Sequence, residues 1–266
     1  MGGDAFLAGK SAFVAGGSSG INLAIAQGLA AAGASVGLVS RSADKIGAAA
    51  AAIRDAGGTA MGIPADVRDY GAVAEAVGAV RDAHGEIDIV VSGAAGNFLA
   101  AAAAMSANAF RTVVEIDLIG TFNVLHAAYP HLRRPGASLI SISAGQAVRP
   151  MMFQTPACAA KAGVNMVTKC LAMEWGPEGV RVNAISPGPI GDTEGMARLT
   201  PTPEAEAALK GRIPLRDYGA KRDVTEVALF LCSDAARYIT GTVIDCDGGW
   251  ILGDASGDLS QPRLQI

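Results

Sequence analysis

The chain is poor in the residues that hold metals or disulfides. Its four cysteines, Cys158, Cys170, Cys232 and Cys246, lie far apart with no Cys-x-x-Cys pair, and His84, His126 and His131 have no metal-ligand spacing. No metal site is expected, and the thiols are expected to be reduced. Nucleic acid is an unsuitable partner, because the net charge is -4 and the basic residues are scattered. No apolar run reaches membrane-spanning length. Met1-Gly2-Gly3-Asp4 lacks the basic region and apolar stretch of a secretion signal, and Leu264-Gln265-Ile266 is not a peroxisomal tripeptide. A cytoplasmic protein acting on small molecules is the expectation.

What is present is apolar residue in quantity. Of 266 residues, 50% are hydrophobic, enough for one large core, and a single domain over 1–266 is expected. Short apolar runs alternate with helical segments. The expected strands are 11–15, 35–39, 60–65, 87–91, 138–143, 180–185 and 242–245, and the expected helices continue from Gly20 through Ala32 and then cover 42–56, 69–84, 110–132, 155–175 and 224–232. Strands alternating with helices imply an α/β fold, a doubly wound parallel sheet of about seven strands with helices on both faces. Residues 191–214 show no clear periodicity and are expected to form a loop or lid, and a tail is expected from about 253.

The first strand breaks into Gly16-Gly17-Ser18-Ser19-Gly20 before Ile21 and a helix. Glycines at such a junction let backbone N–H groups approach an anionic diphosphate at the positive end of a helix. The second strand ends at Ser40-Arg41-Ser42, where a ribose would lie. A hydroxyl and a cation there suit a 2′-phosphate better than free ribose hydroxyls, which favours NADP(H) over NAD. The third strand delivers Asp66-Val67 to the same edge, and the fourth ends in the small residues Gly93-Ala94-Ala95-Gly96, against which a flat cofactor can lie.

One acid is missing. Ala157 and Lys161 have the spacing of a catalytic Tyr-x-x-x-Lys pair, four apart on one helix face, but alanine has no proton to give. Ala144 stands where a partner serine would be expected, thirteen residues before Ala157, although Ser143 is adjacent.

With Pro187-Gly188-Pro189-Ile190 added, these motifs in order resemble the short-chain dehydrogenase/reductases over nearly the whole chain. Gly93 to Leu99, Ile116-Asp117, Gly120 to Asn123 and Thr193-Glu194-Gly195 are similar to the 2,4-dienoyl-CoA reductases, the peroxisomal type above all. Those enzymes also lack the tyrosine, so Ala157 fits them. The resemblance implies that Lys161 holds the nicotinamide ribose and that Asn97 donates to the substrate thioester carbonyl. It further implies that Asp117 works with Lys161 through a water as proton source, and it makes Asp247 another functional candidate. Arg41 would hold the 2′-phosphate, Asp66 the adenine side, and Ile190 with Thr193 the nicotinamide carboxamide. A fatty acyl-CoA substrate and a homotetramer built on the Phe110 and Lys161 helices are implied as well.

The chain departs from the family at Asn22 and Ser92, where glycine and asparagine are usual, and from the mitochondrial type at Gln146, which stands in for a tyrosine. Asn22 must find room or a polar partner for its side chain. Two other readings stay open: a reductase of other enoyl or 3-oxoacyl thioesters using Lys161, Ser143 and solvent, and an NADP-binding subunit without catalysis. Met151, Met152 and Phe153 are expected to line the acyl chain. Arg198, Lys210 and Arg212 are either contacts for coenzyme A phosphates or simply solvated cations.

Overall fold

Ser11–Ala15 (β1) is buried along its whole length and leads through the glycine turn into Gly20–Ala31 (α1). The chain then alternates through Ser35–Ser40 (β2), Ala43–Asp55 (α2), Thr59–Pro64 (β3), Tyr70–His84 (α3) and Ile89–Ser92 (β4). Ala107–Val114 (α4) and Gly120–Ala128 (α5) follow, joined by a π turn at Glu115–Ile119. The second half runs through Ser138–Ile142 (β5), Thr155–Trp175 (α6), Arg181–Pro187 (β6), Glu194–Leu199 (α7), Pro203–Arg212 (α8), Lys221–Cys232 (α9) and Val243–Cys246 (β7). This computed structural model describes residues 5–257; the terminal segments, with Met1-Gly2-Gly3-Asp4 and Leu264-Gln265-Ile266, lie outside the described residues.

All seven strands are parallel, in the order β3-β2-β1-β4-β5-β6-β7. Side chains alternate across each strand, so the two faces of the sheet make two cores. On one face Ile25, Leu29, Ile46, Ile53, Val224 and Leu231 pack α1, α2 and α9 against the strands. On the other, Val73, Val77, Leu125, Leu171 and Trp175 pack α3, α5 and α6. The order reverses at β1, whose neighbours are β2 and β4, and the crevice beyond the strand ends at such a point is where α/β sheets bind ligands.

Three expectations are corrected. The helix expected over 110–132 starts at Ala107, capped by Ser106, and gives way to a tight turn at Tyr129–His131 around Pro130. The segment 191–214 contains α7 and α8, each started by a threonine cap, Thr193 and Thr202. Such short helices hold too few turns to show a period in sequence. Ile87 lies outside β4 because it bridges to Leu132 instead of joining the ladder.

Candidate active site

Gly16 adopts φ 78°, and a Cβ there would come within 2.8 Å of the Ala94 backbone nitrogen, so the backbones of the glycine turn and the β4 loop approach closely. Gly20 has φ 60° and faces open space, where an added Cβ would meet nothing. Ser19, the residue preceding α1, makes no side-chain cap bond, which leaves the first N–H groups of α1 for an anion. Ser18, Ser19, Gly20 and Ile21 thus form an uncapped cradle of the kind a dinucleotide diphosphate fits. Asn22 finds its partner: buried, it donates from Nδ2 to the Gly93 carbonyl at 2.7 Å. Gly93 must be glycine here, because a Cβ would lie 2.2 Å from Asn22 Oδ1.

At the outer edge, Arg41 is exposed and makes no ion pair among the described residues. Ser42 caps α2 by accepting from Lys45 N. Asp66 is held by Arg68 at 2.6 Å, and the Arg68 guanidinium, with a smaller contribution from Arg41, lowers its carboxyl below the ordinary value. The Val67 carbonyl accepts from Asn123 Nδ2 at 2.8 Å, which ties this edge to α5.

The centre is the π turn. One extra residue per turn there lifts a carbonyl out of the helix ladder, a distortion common at functional sites. The Asp117 carbonyl accepts the Thr121 hydroxyl one turn on at 2.7 Å, and Thr121 in turn meets Ser92 Oγ at 3.3 Å. Ser92 therefore anchors the helix. The Asp117 carboxylate enters the site, with Oδ1 accepting from Gly96 N at 2.7 Å and Oδ2 lying 3.5 Å from Lys161 Nζ. Their side chains are only 2% and 8% exposed. Burial pushes the Asp117 carboxyl above its ordinary value, opposed by the Lys161 cation and the Gly96 N–H. Lys161 also donates to the Ile142 carbonyl at 2.9 Å, so one of its three protons is left over. The two charges face each other directly at 3.5 Å.

Ala157 is buried on α6, one turn before Lys161. Ser143 is no substitute: it is buried and bonded to Asn165 Oδ1 at 2.6 Å, one turn beyond Lys161 on α6.

Asn97 sits at the mouth, next to Gly96. Its Nδ2 donates to Gln154 Oε1 at 2.9 Å, and Gln146 Nε2 donates to the same oxygen at 3.1 Å. Asp247 is placed differently from the other candidates. Its two oxygens accept from Gly249 N and Ile251 N, both at 2.8 Å, and cap the turn that carries Trp250. Trp250 packs on Gly145, where a Cβ would come within 2.8 Å of the ring, so Asp247 supports the Gln146 turn from behind.

Pro187 ends β6, and Gly188 passes so close to Asp247 that a Cβ would lie 2.6 Å from its Cα. Ile190 is buried and bridges to Gly219, while Thr193 caps α7 and donates to the Ile190 carbonyl at 2.8 Å. The three cations considered for coenzyme A are all paired within the chain: Arg198 with Glu194, Lys210 with Glu206 and Asp217, and Arg212 with Asp254. Met152 and Phe153 are exposed, while Met151 is half-buried.

Sequence reasoning missed Gln154, the Gly96 N–H and the Ile142 carbonyl. Backbone groups leave no mark in a sequence. Gln154 did leave one, as an amide seven residues before the lysine at the start of its helix.

A dinucleotide cradle at the switch point of a parallel sheet, with a buried lysine beside it, defines a nucleotide-dependent oxidoreductase. The family model described as Enoyl-(Acyl carrier protein) reductase matches residues 15–251, and the chain belongs to the short-chain dehydrogenase/reductase family. It is similar to the peroxisomal 2,4-dienoyl-CoA reductase [(3E)-enoyl-CoA-producing] of Arabidopsis thaliana, 40% identical over 96% of this chain and 86% of the relative. The Rattus norvegicus enzyme of the same name is 41% identical over 90% of this chain and 83% of its own. Among solved structures, a gluconate 5-dehydrogenase from Burkholderia cenocepacia in complex with NADP and tartrate superposes with TM-score 0.86 at 28% identity, covering 94% of this chain and 98% of that one. A short-chain type dehydrogenase/reductase from Mycobacterium ulcerans gives TM-score 0.86 at 34% identity, covering 92% and 90%.

Proposed function

We propose that this protein reduces 2,4-dienoyl-CoA thioesters with NADPH and forms the 3-enoyl-CoA. The observation that carries the reading is the buried Asp117–Lys161 pair in a site with alanine at both 144 and 157. The relatives' names support it. A ketone reductase needs a proton on oxygen at once, whereas a dienoyl thioester does not.

When bound, NADPH supplies a hydride to the far carbon of the diene, C5. The electron pair then spreads through the diene to the thioester oxygen as an extended enolate. A hydrogen bond to that oxygen can contribute on the order of 3 kcal/mol, and Asn97 is its donor. The proton goes to C2, leaving the double bond at C3. Its source is a water held by the Asp117 carboxylate beside the Lys161 cation. Lys161 also takes the nicotinamide ribose. Arg41 and Ser42 hold the 2′-phosphate, Asp66 and Val67 the adenine side, and Gly93, Ala94 and Ala95 the flat face of the cofactor. Pro187, Gly188, Ile190 and Thr193 hold the carboxamide. Asp247 acts through Trp250. Helices α7 and α8 form the lid over the acyl chain, within one domain.

Phe110, Ile119, Phe122, Met166 and Met173 are exposed along α4, the π turn, α5 and α6, which supports burial against other copies in a homotetramer. No helix among the described residues is long and apolar enough to cross a membrane. The four cysteines are free, and the relatives are peroxisomal by name, which does not support the cytoplasmic setting expected from the sequence.

The test is NADPH oxidation with 2,4-decadienoyl-CoA, with NADH and a 3-oxoacyl-CoA in parallel, on wild type, Asn97→Ala and Lys161→Ala. Turnover of the dienoyl ester that collapses in both variants supports the reading. NADPH binding without turnover of it sinks the reading.

A further inference from the structure

Gln154 is the residue that precedes α6, yet its side chain caps nothing. The second helical residue is Pro156, which has no N–H to offer a cap. The amide is turned the other way. Its Oε1 receives two donors, Asn97 Nδ2 and Gln146 Nε2, so one acceptor holds both amides. Once one N–H of Asn97 points at Gln154, the direction of its other N–H is determined, because the amide is planar.

The backbone reinforces the arrangement. Phe153 adopts φ 66°, a conformation costly for a bulky side chain and often met where function requires it. Its carbonyl accepts from Ala100 N at 3.0 Å. The Asn97 loop is therefore tied to the start of α6 twice, by backbone at Ala100 and by side chain at Asn97. At its other end, Gly96 N is bound to Asp117. The loop thus spans the proton-donor side and the Gln154 side of the site.

We propose that Gln154, steadied by Gln146, is the positioning residue for Asn97, setting its free N–H toward the thioester oxygen. Gln154 acts through Asn97 and needs no contact with substrate. This rests on the functional reading above and deepens it.

The experiment is a double-mutant cycle on Asn97→Ala and Gln154→Leu, with kcat and KM for 2,4-decadienoyl-CoA, the dissociation constant for NADPH, and crystal structures of wild type and Gln154→Leu with NADP. Gln154→Leu alone is expected to lower kcat about 10- to 100-fold, with NADPH affinity unchanged. In the Asn97→Ala background the same change should cost less than about twofold, since nothing remains to position. The structures should show the Asn97 amide displaced in Gln154→Leu. Equal losses in both backgrounds, no loss in either, or an Asn97 amide unmoved in Gln154→Leu would overturn the inference. A wild-type enzyme that does not reduce the dienoyl ester instead sinks the functional reading, and the structures still decide on Gln154.

Discussion

Asp117 Oδ2 lies 3.5 Å from Lys161 Nζ, the aspartate on a π turn and the lysine in the middle of another helix, and both are almost wholly buried. Removing one partner of such a pair strands the other charge in a dry site. Lys161→Met is therefore expected to cost about 3–5 kcal/mol of stability at neutral pH. Turnover should also fall at least about 100-fold. Urea unfolding and steady-state kinetics check the two effects separately, and a variant of unchanged stability would show that Asp117 is not charged beside Lys161.

The same aspartate makes stability depend on pH in the less usual direction for a carboxylate. Burial raises its folded value above the ordinary 3.8, so between 3.8 and that raised value the folded chain holds a proton the unfolded chain has lost. Its contribution is fully present below 3.8 and is lost as pH rises through the folded value. Relative to Asp117→Asn, the wild type should lose stability with rising pH across this window and run parallel above it. Activity should move oppositely: Gly96 N–H and Lys161 both donate to the carboxylate, so the ionised form is the working one. The kcat/KM profile should rise through the same window and lose that limb in Asp117→Asn.

Asn22 and Gly93 form a testable pair. Asn22→Gly removes the bond to the Gly93 carbonyl and places glycine in a helix, costing about 1–2 kcal/mol together. Gly93→Ala in the wild type should be worse, because its Cβ would strike Asn22 Oδ1 at 2.2 Å. Combined with Asn22→Gly, the alanine should be partly relieved, with a coupling energy of about 1 kcal/mol or more measured by thermal or urea unfolding. Additive losses would mean that the Asn22 side chain does not fill the space beside Gly93.

Arg41 is expected to set the choice of cofactor. Losing one charge-assisted contact to the 2′-phosphate costs about 1.5–3 kcal/mol, so Arg41→Ala should weaken NADPH binding roughly 10- to 150-fold and leave NADH binding nearly unchanged. Calorimetry with both nucleotides measures this. An equal loss for both would move Arg41 away from the 2′-phosphate.

Much of the architecture was legible in the chain. Ile89-Val90-Val91 and Leu139-Ile140 set apolar residues side by side without polar alternation, as strands covered on both faces do, and Gly33 and Gly85 stop helices where the pattern stops. The glycine turn, Lys161 and Asp117 could be named from spacing and resemblance, because each sits at a fixed place relative to a strand end or a helix turn. Residues 191–214 resisted, since helices of 6 and 10 residues are too short to display a face.

Sequence alone thus determined the parallel sheet, the end of it that binds the nucleotide, and the absence of a phenol acid. Only the tertiary structure decided which groups stand around Lys161 and Asn97. The π turn that aims Asp117 at Lys161, the Ile142 carbonyl that steadies the lysine, the commitment of Ser143 to Asn165 and the convergence of Asn97 and Gln146 on Gln154 all join residues distant in the chain. Local propensity reports the period and ends of an element. The direction of a buried polar side chain is set by whichever donor or acceptor the fold brings beside it, and that partner is known only once the chain has closed.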